Sequence, residues 1–139
     1  MGRAHVAIID DSAVRQLLSG RKRIETRFYC SRRPPFDRID VGDRIYFKRA
    51  GGAIIGTTHA RIICQFHELT PGRIDQLRHD HNRCVCAPAH YWRARRHCRY
   101  GVLIWIGPLE PAPRPIVVPR QYGSAWISLE TRVRGRTPA

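Results

Sequence analysis

The segment Gly20-Arg21-Lys22-Arg23-Ile24-Glu25-Thr26-Arg27 decides how this chain is read. A glycine placed to end a helix hands over to a strand in which Ile24, Thr26 and Phe28 alternate with Arg23, Glu25 and Arg27. The alternation predicts one face turned to a core and one carrying charge. Lys22 enters the strand three residues ahead of Glu25 and five ahead of Arg27, so an ammonium, a carboxylate and a guanidinium gather at the mouth of a cleft. Such a set can read the edge of a base, because the carboxylate accepts from amino groups while the cations donate to carbonyls or phosphates. A solvated charged strand face has the same pattern.

The lysine itself is informative. The chain holds 25 lysines and arginines, and all but Lys22 and Lys48 are arginine. Where any cation serves, such a chain carries Arg, so the two lysines mark positions where a compact ammonium on a thin stem is needed. Lys22 is the one inside a motif. Paired with Glu25 it acts as a charged donor; crowded by Arg21, Arg23 and Arg27 it would lose its proton more readily and serve as a base.

Working outward, His5 to Ile9 reads as a first strand, followed by a short helix with cap candidates at Asp10-Asp11-Ser12, an apolar stripe of Val14, Leu17 and Leu18, and Gly20 just past its end. Beyond the motif, a loop with Pro34-Pro35 ends in Val41-Gly42-Asp43 and turns into the strand Arg44 to Arg49. Ala50-Gly51-Gly52 predicts a hairpin into a long strand from Ile54 to Phe66, with Gly56 at a bulge. Thr70 and Pro71 start a second helix that runs to about His81, and a further helix is expected near Ala89 to Arg96. Tyr100 to Ile106 is an apolar strand. Residues 108–119, with five prolines, read as an extended connector to a last strand from Ser124 to Leu129.

Gly20, Lys22, Glu25 and Arg27 form a G-x-K-x-x-E-x-R pattern, placed after a strand and a short helix and followed by Val41-Gly42-Asp43 and the strand Arg44 to Phe47. Over residues 5–66, and more loosely through Tyr100 to Ile106, this resembles the ASCH domains of the PUA-like superfamily. The resemblance implies an α+β fold, a PUA-like small β-barrel or strongly curved mixed sheet with two to three short helices, and a cleft beside the first helix. PUA-like relatives bind RNA or recognise modified bases. Some small ASCH proteins are amidohydrolases that deacetylate N4-acetylcytidine, using a lysine at the position of Lys22 and a threonine hydroxyl at the position of Glu25. Here a carboxylate stands in place of that hydroxyl. Under the enzyme reading Lys22 activates water and Glu25 orients it or moves protons, while Glu68 and Asp75 are the nearby acidic residues for the further catalytic carboxylate.

Length and charge agree with this frame. The 139 residues fit one domain over residues 1–130 with a basic, disordered tail at 131–139, and no apolar run approaches the length of a membrane span. The formal charge is +14, and it is still +10 once residues 1–3 and 131–139 are set aside. A field carried by the folded body favours a polyanion, nucleic acid before a membrane surface. Five cysteines without a secretory signal point to reduced thiols in the cytoplasm. The expected ligand site is Gly20, Arg21, Lys22, Arg23, Glu25 and Arg27, with Tyr46 as a stacking candidate and Arg93 and Arg96 on the phosphate backbone; the partner is RNA or a nucleotide. No cofactor is implied. His79, His81, Cys84 and Cys86 are the only weak metal candidates, since their spacing is poor for zinc.

Overall fold

The computed structural model describes residues 2–113, 116–119 and 124–129, so the segment read as a basic tail lies outside the described residues. The elements are β1 (Ala4–Ile9), α1 (Asp11–Leu18), β2 (Ile24–Tyr29), β3 (Arg44–Arg49), β4 (Ile54–Phe66), α2 (Pro71–Val85), α3 (Ala89–Ala94), β5 (Tyr100–Ile106) and β6 (Trp126–Leu129). The strands form one curled half-barrel in the order β2-β5-β4-β3-β1-β6, with β2 and β6 at its edges. The β1–β3 pair is parallel and every other pair is antiparallel. This is the α+β, strongly curved mixed sheet expected from the motif.

Local chemistry sets the elements that matter for the site. Asp10 caps α1 by accepting from the Ala13 N–H at 2.9 Å, and Gly20 leaves it with φ +80°, a left-handed turn that aims the chain into β2. The helix buries only Val14 and Leu17; Leu18, read as part of the apolar stripe, is 63% exposed because the short helix meets the sheet along too narrow a line. Helix α2 begins as read, with Thr70 accepting from the Arg73 N–H at 3.2 Å. It continues past His81 to Val85, which is buried with Ile74 and Leu77, and stops only where Cys86 turns left-handed at φ +61°. Asn82, just past the expected helix end, organises that stop: its side chain exchanges two hydrogen bonds with Ala87 and accepts from the Trp92 indole, all at 3.0 Å.

Three apolar clusters hold the fold. One fills the half-barrel with Ala7, Ile9, Val14, Leu17, Ile45, Phe47, Ile104 and Trp126. A second joins α2 and α3 to β2 and β5 through Ile24, Phe28, Ile74, Leu77, Val85, Trp92 and Leu103. The third lies on the outer face and contains Val6, Tyr46 and Ile127. At its start the proline-rich connector is clamped to β4, where Thr57 and Glu110 exchange backbone hydrogen bonds of 2.7 and 2.8 Å. The register of β3 with β4 shifts next to the Phe47–Gly56 pair, and a Cβ at Gly56 would lie 2.8 Å from Leu109. Gly56 therefore serves a close approach as well as the bulge. Arg3, set aside as part of a tail, is tied down, its N–H donating to Asp43 at 3.0 Å. The last strand begins at Trp126 and not at Ser124.

Candidate functional site

The curl brings the two edges of the sheet together, and Arg27 spans the seam. Its Nη1 donates to the Ala125 carbonyl at 3.2 Å and its Nη2 to the Ile8 carbonyl at 3.3 Å. Beside this strut opens a cleft of about 260 Å³, walled by the start of α1 (Asp10, Ser12), by β2, by the turn from Val85 to Pro88, and by Tyr91 and Arg95 of the α3 region. The free edge of β2 faces it. Side chains blunt that edge in place of a partner strand, Lys22 Nζ donating to the Ile24 carbonyl at 3.1 Å and Tyr91 Oη to the Thr26 carbonyl at 3.2 Å.

Lys22, Glu25 and Arg27 form one buried charge cluster. Both Arg27 Nε and Nη2 lie 2.7 Å from Glu25 Oε2, and Lys22 Nζ lies 3.5 Å from Glu25 Oε1. Lys22 also donates to the Val85 carbonyl at 3.0 Å, which fixes the turn closing the cleft. Burial alone would raise the Glu25 carboxyl, but the charges of Arg27 and Lys22 outweigh it and hold the group below the usual carboxylate range. Arg27 shows the converse: burial disfavours its charge, Glu25 restores it, and the net shift is upward. Glu25 Oε1 is nevertheless the one buried side-chain oxygen or nitrogen without a hydrogen-bond partner among the described residues. Across the cleft Thr26 Oγ1 and Tyr91 Oη are 2.5 Å apart, and burial pushes the Tyr91 phenol up. The Arg95 guanidinium lies 3.8 Å from the centre of the Tyr91 ring.

The predicted residues divide sharply. Lys22, Glu25 and Arg27 are brought together, and Gly20 makes the turn that places them. The charged face of β2 is not solvated, because it closes the seam of the barrel. Arg21 and Arg23 are exposed and outside the cleft, Arg23 Nη2 reaching Cys84 Sγ at 3.4 Å. Tyr46 is buried on the outer face with Val6 and Ile127 and cannot stack on a ligand in the cleft. Arg93 is exposed and lies outside the cleft, and Arg96 is paired with Asp75 at 2.9 Å. That pair occupies Asp75, and Glu68 sits in a left-handed turn at φ +56°, so neither supplies a carboxylate to the cleft. His79, His81, Cys84 and Cys86 are not gathered: His81 stands edge-on to Trp105, and Cys86 Sγ donates to the Arg83 carbonyl. Among the described residues no group of three or more His, Cys, Asp or Glu side chains is disposed to hold a metal ion. Thr26, Arg95 and the Val85–Pro88 turn were missed as cleft residues; the proximity of Tyr91 and Arg95 at helical spacing was the available signal.

No family model matches the chain, and no curated protein matches it either. Its structure is similar to that of the ASCH protein from Zymomonas mobilis, with a TM-score of 0.67 and 17% identity over 91% of this chain and 87% of that one. A point mutant of the same protein gives the same score at 18% identity, covering 91% of this chain and 88% of that one. The likeness is one of fold, and it agrees with the fold that the resemblance to ASCH domains implied. Among the described residues no helix is long and apolar enough to cross a membrane.

Proposed function

We propose that this ASCH-fold domain binds RNA or a modified nucleotide, with a base in the cleft walled by Lys22, Glu25 and Arg27. The observation that carries the reading is Glu25 Oε1. It accepts no hydrogen bond within the protein, Lys22 Nζ standing 3.5 Å off, so this buried, ionised oxygen has lone-pair capacity that a ligand's donor can fill. The exocyclic amino group of a base, or the amide N–H of an acylated one, is such a donor. On one wall of the cleft the Arg95 guanidinium lies stacked on the Tyr91 ring and offers its outer face as a flat surface for a base. The positive charge of the chain supports a polyanionic partner.

The rival reading is hydrolysis of an amide on a modified nucleoside. Lys22 gives two of its N–H groups to backbone carbonyls and faces Glu25 with the rest, which supports a donor's role over that of a water-activating base. Titrating the protein with N4-acetylcytidine, and with short RNA at several salt concentrations, tests both. Binding that weakens on Glu25→Gln, steep salt dependence with RNA, and no deacetylated product by mass spectrometry are expected. Product formed by the wild type and lost in Lys22→Ala would replace binding with catalysis.

A further inference from the structure

On the other side of the Arg27 strut the seam holds a second cavity of about 270 Å³, walled by Tyr29, Arg33, Arg38, Trp126 and Ser128 among others. Tyr29 also lines the cleft, so the two cavities are neighbours that share that side chain as a wall. Arg33 is held near the junction, its guanidinium 4.9 Å from the centre of the Tyr29 ring. Arg33 and Arg38 are exposed, and neither pairs with a carboxylate among the described residues, whereas Arg27, Arg32, Arg49 and Arg96 each do. Among the described residues no acidic side chain lines the cavity. Two unpaired guanidiniums in a concave site ask for an anion.

Ser128 adds a directional constraint. His5, wholly buried, places Nε2 at 2.9 Å from Asp43 Oδ2, and an ionised carboxylate only accepts, so Nε2 carries the proton. The other ring nitrogen, Nδ1, then accepts; Trp126 Nε1 donates to it at 3.3 Å. Ser128 Oγ lies 2.9 Å from the same Nδ1, closer than the indole, and its proton is best placed on that lone pair. The oxygen that Ser128 brings to the cavity therefore presents lone pairs alone. A ligand meeting it needs its own hydroxyl or N–H donor, next to an anion for the two arginines.

We infer that the second cavity takes the ribose-phosphate of a nucleotide whose base enters the cleft, with Arg33 and Arg38 on the phosphate and Ser128 Oγ accepting from the ribose 2′-hydroxyl. This rests on the base-binding reading of the cleft and adds to it a preference for RNA over DNA and for a nucleotide over a nucleoside. The test is fluorescence anisotropy with a short single-stranded RNA of mixed sequence and the DNA of the same sequence, run beside calorimetry with N4-acetylcytidine and its 5′-monophosphate. Wild type should bind RNA about three- to tenfold more tightly than DNA, the worth of one neutral hydrogen bond. Ser128→Ala, which leaves His5 Nδ1 its indole donor, should abolish that ratio while keeping the affinity for DNA. The exposed pair Arg33→Ala and Arg38→Ala together should weaken RNA, DNA and the monophosphate alike, by about tenfold or more, and leave the nucleoside unchanged. Equal affinity of the wild type for RNA and DNA, or a ratio that survives Ser128→Ala, overturns the inference. Nucleoside binding without any gain from the phosphate overturns it and leaves the cleft intact; failure of every probe removes the cleft reading as well.

Discussion

Glu25 and Arg27, two residues apart on an edge strand, form an ion pair inside the seam in which Arg27 Nε and Nη2 both lie 2.7 Å from the one oxygen Oε2, with side chains 5% and 11% exposed. The pair ties β2 to the opposite edge through the Ile8 and Ala125 carbonyls. Arg27→Met strands a buried carboxylate, and we expect a loss of about 3–5 kcal/mol in urea denaturation. Arg27→Met with Glu25→Leu removes both charges but leaves the buried Lys22 ammonium without its carboxylate, so it should recover only part of that stability while ligand binding stays lost. A double variant as unstable as the single one would mean that the two carbonyl contacts, not the ion pair, hold the seam.

Lys22→Arg is the corresponding test of the rare lysine. The Nζ reaches two carbonyls and a carboxylate within 3.5 Å of one buried point, a geometry for three divergent donors on a thin stem and not for a planar fork. Both Lys22→Arg and Lys22→Ala should lower stability by about 1–3 kcal/mol and weaken binding of the ligand, measured on the same preparations. Full binding by the arginine variant would show that charge alone is used there.

The strand ends and the Lys-Glu-Arg cluster were legible in the sequence for distinct reasons. Alternation in Ile24 to Phe28 and Tyr100 to Ile106 reports a sheet face directly, and Thr70-Pro71 marks a helix start by hydrogen-bond chemistry within four residues. What was not legible depended on contacts far along the chain. Tyr46 reads as an aromatic of either face until β1 and β6 cover it, and Arg96 reads as a free cation until α2 presents Asp75, 21 residues away. The burial of Glu25 and Arg27 follows from closure of the barrel, which no local pattern encodes; a charged stripe on an edge strand reads as solvated. Ser128, His5 and Asp43 come together over 123 residues of sequence and carry no motif at all.

That last trio makes the protein sensitive to acid. Burial pushes the His5 imidazole below its ordinary 6.5, against the raising pull of Asp43. Asp43 is itself held below its ordinary 3.8: burial acts to raise it, but the His5 hydrogen bond and the Asp40 and Arg3 N–H groups prevail. Each group binds its proton less readily folded than unfolded, so acidification favours the unfolded chain. The contribution of His5 is fully present above about pH 6.5 and is lost as the pH falls toward its folded value; those of Asp43 and Glu25 follow at lower pH. Urea midpoints measured from about pH 8 down to about pH 2 should fall in two stages, the lower one below about pH 4.5. His5→Gln should remove the upper stage and, by taking away the imidazole beside Asp43, shrink the lower one; an unchanged upper stage in that variant would assign it to another histidine.

Gly101 sets the distance between β5 and the strand that carries the site. It pairs with Phe28 across the β2–β5 ladder, and a Cβ at residue 101 would lie 2.6 Å from Phe28 Cδ1 and 3.0 Å from Leu69 Cδ1. Neither neighbour can retreat, since Phe28 and Leu69 belong to the cluster beneath α2 and α3. Gly101→Ala should therefore cost about 1–3 kcal/mol of stability through overpacking. Because Phe28 stands next to Arg27 on β2, the displaced strand should also loosen the seam and weaken binding in the cleft. Gly101→Ala combined with Phe28→Leu should regain part of both losses, a non-additive outcome that reports direct contact. Thermal unfolding of the four proteins decides it: additive losses would place the strain at Leu69 and separate β5 packing from the geometry of the site.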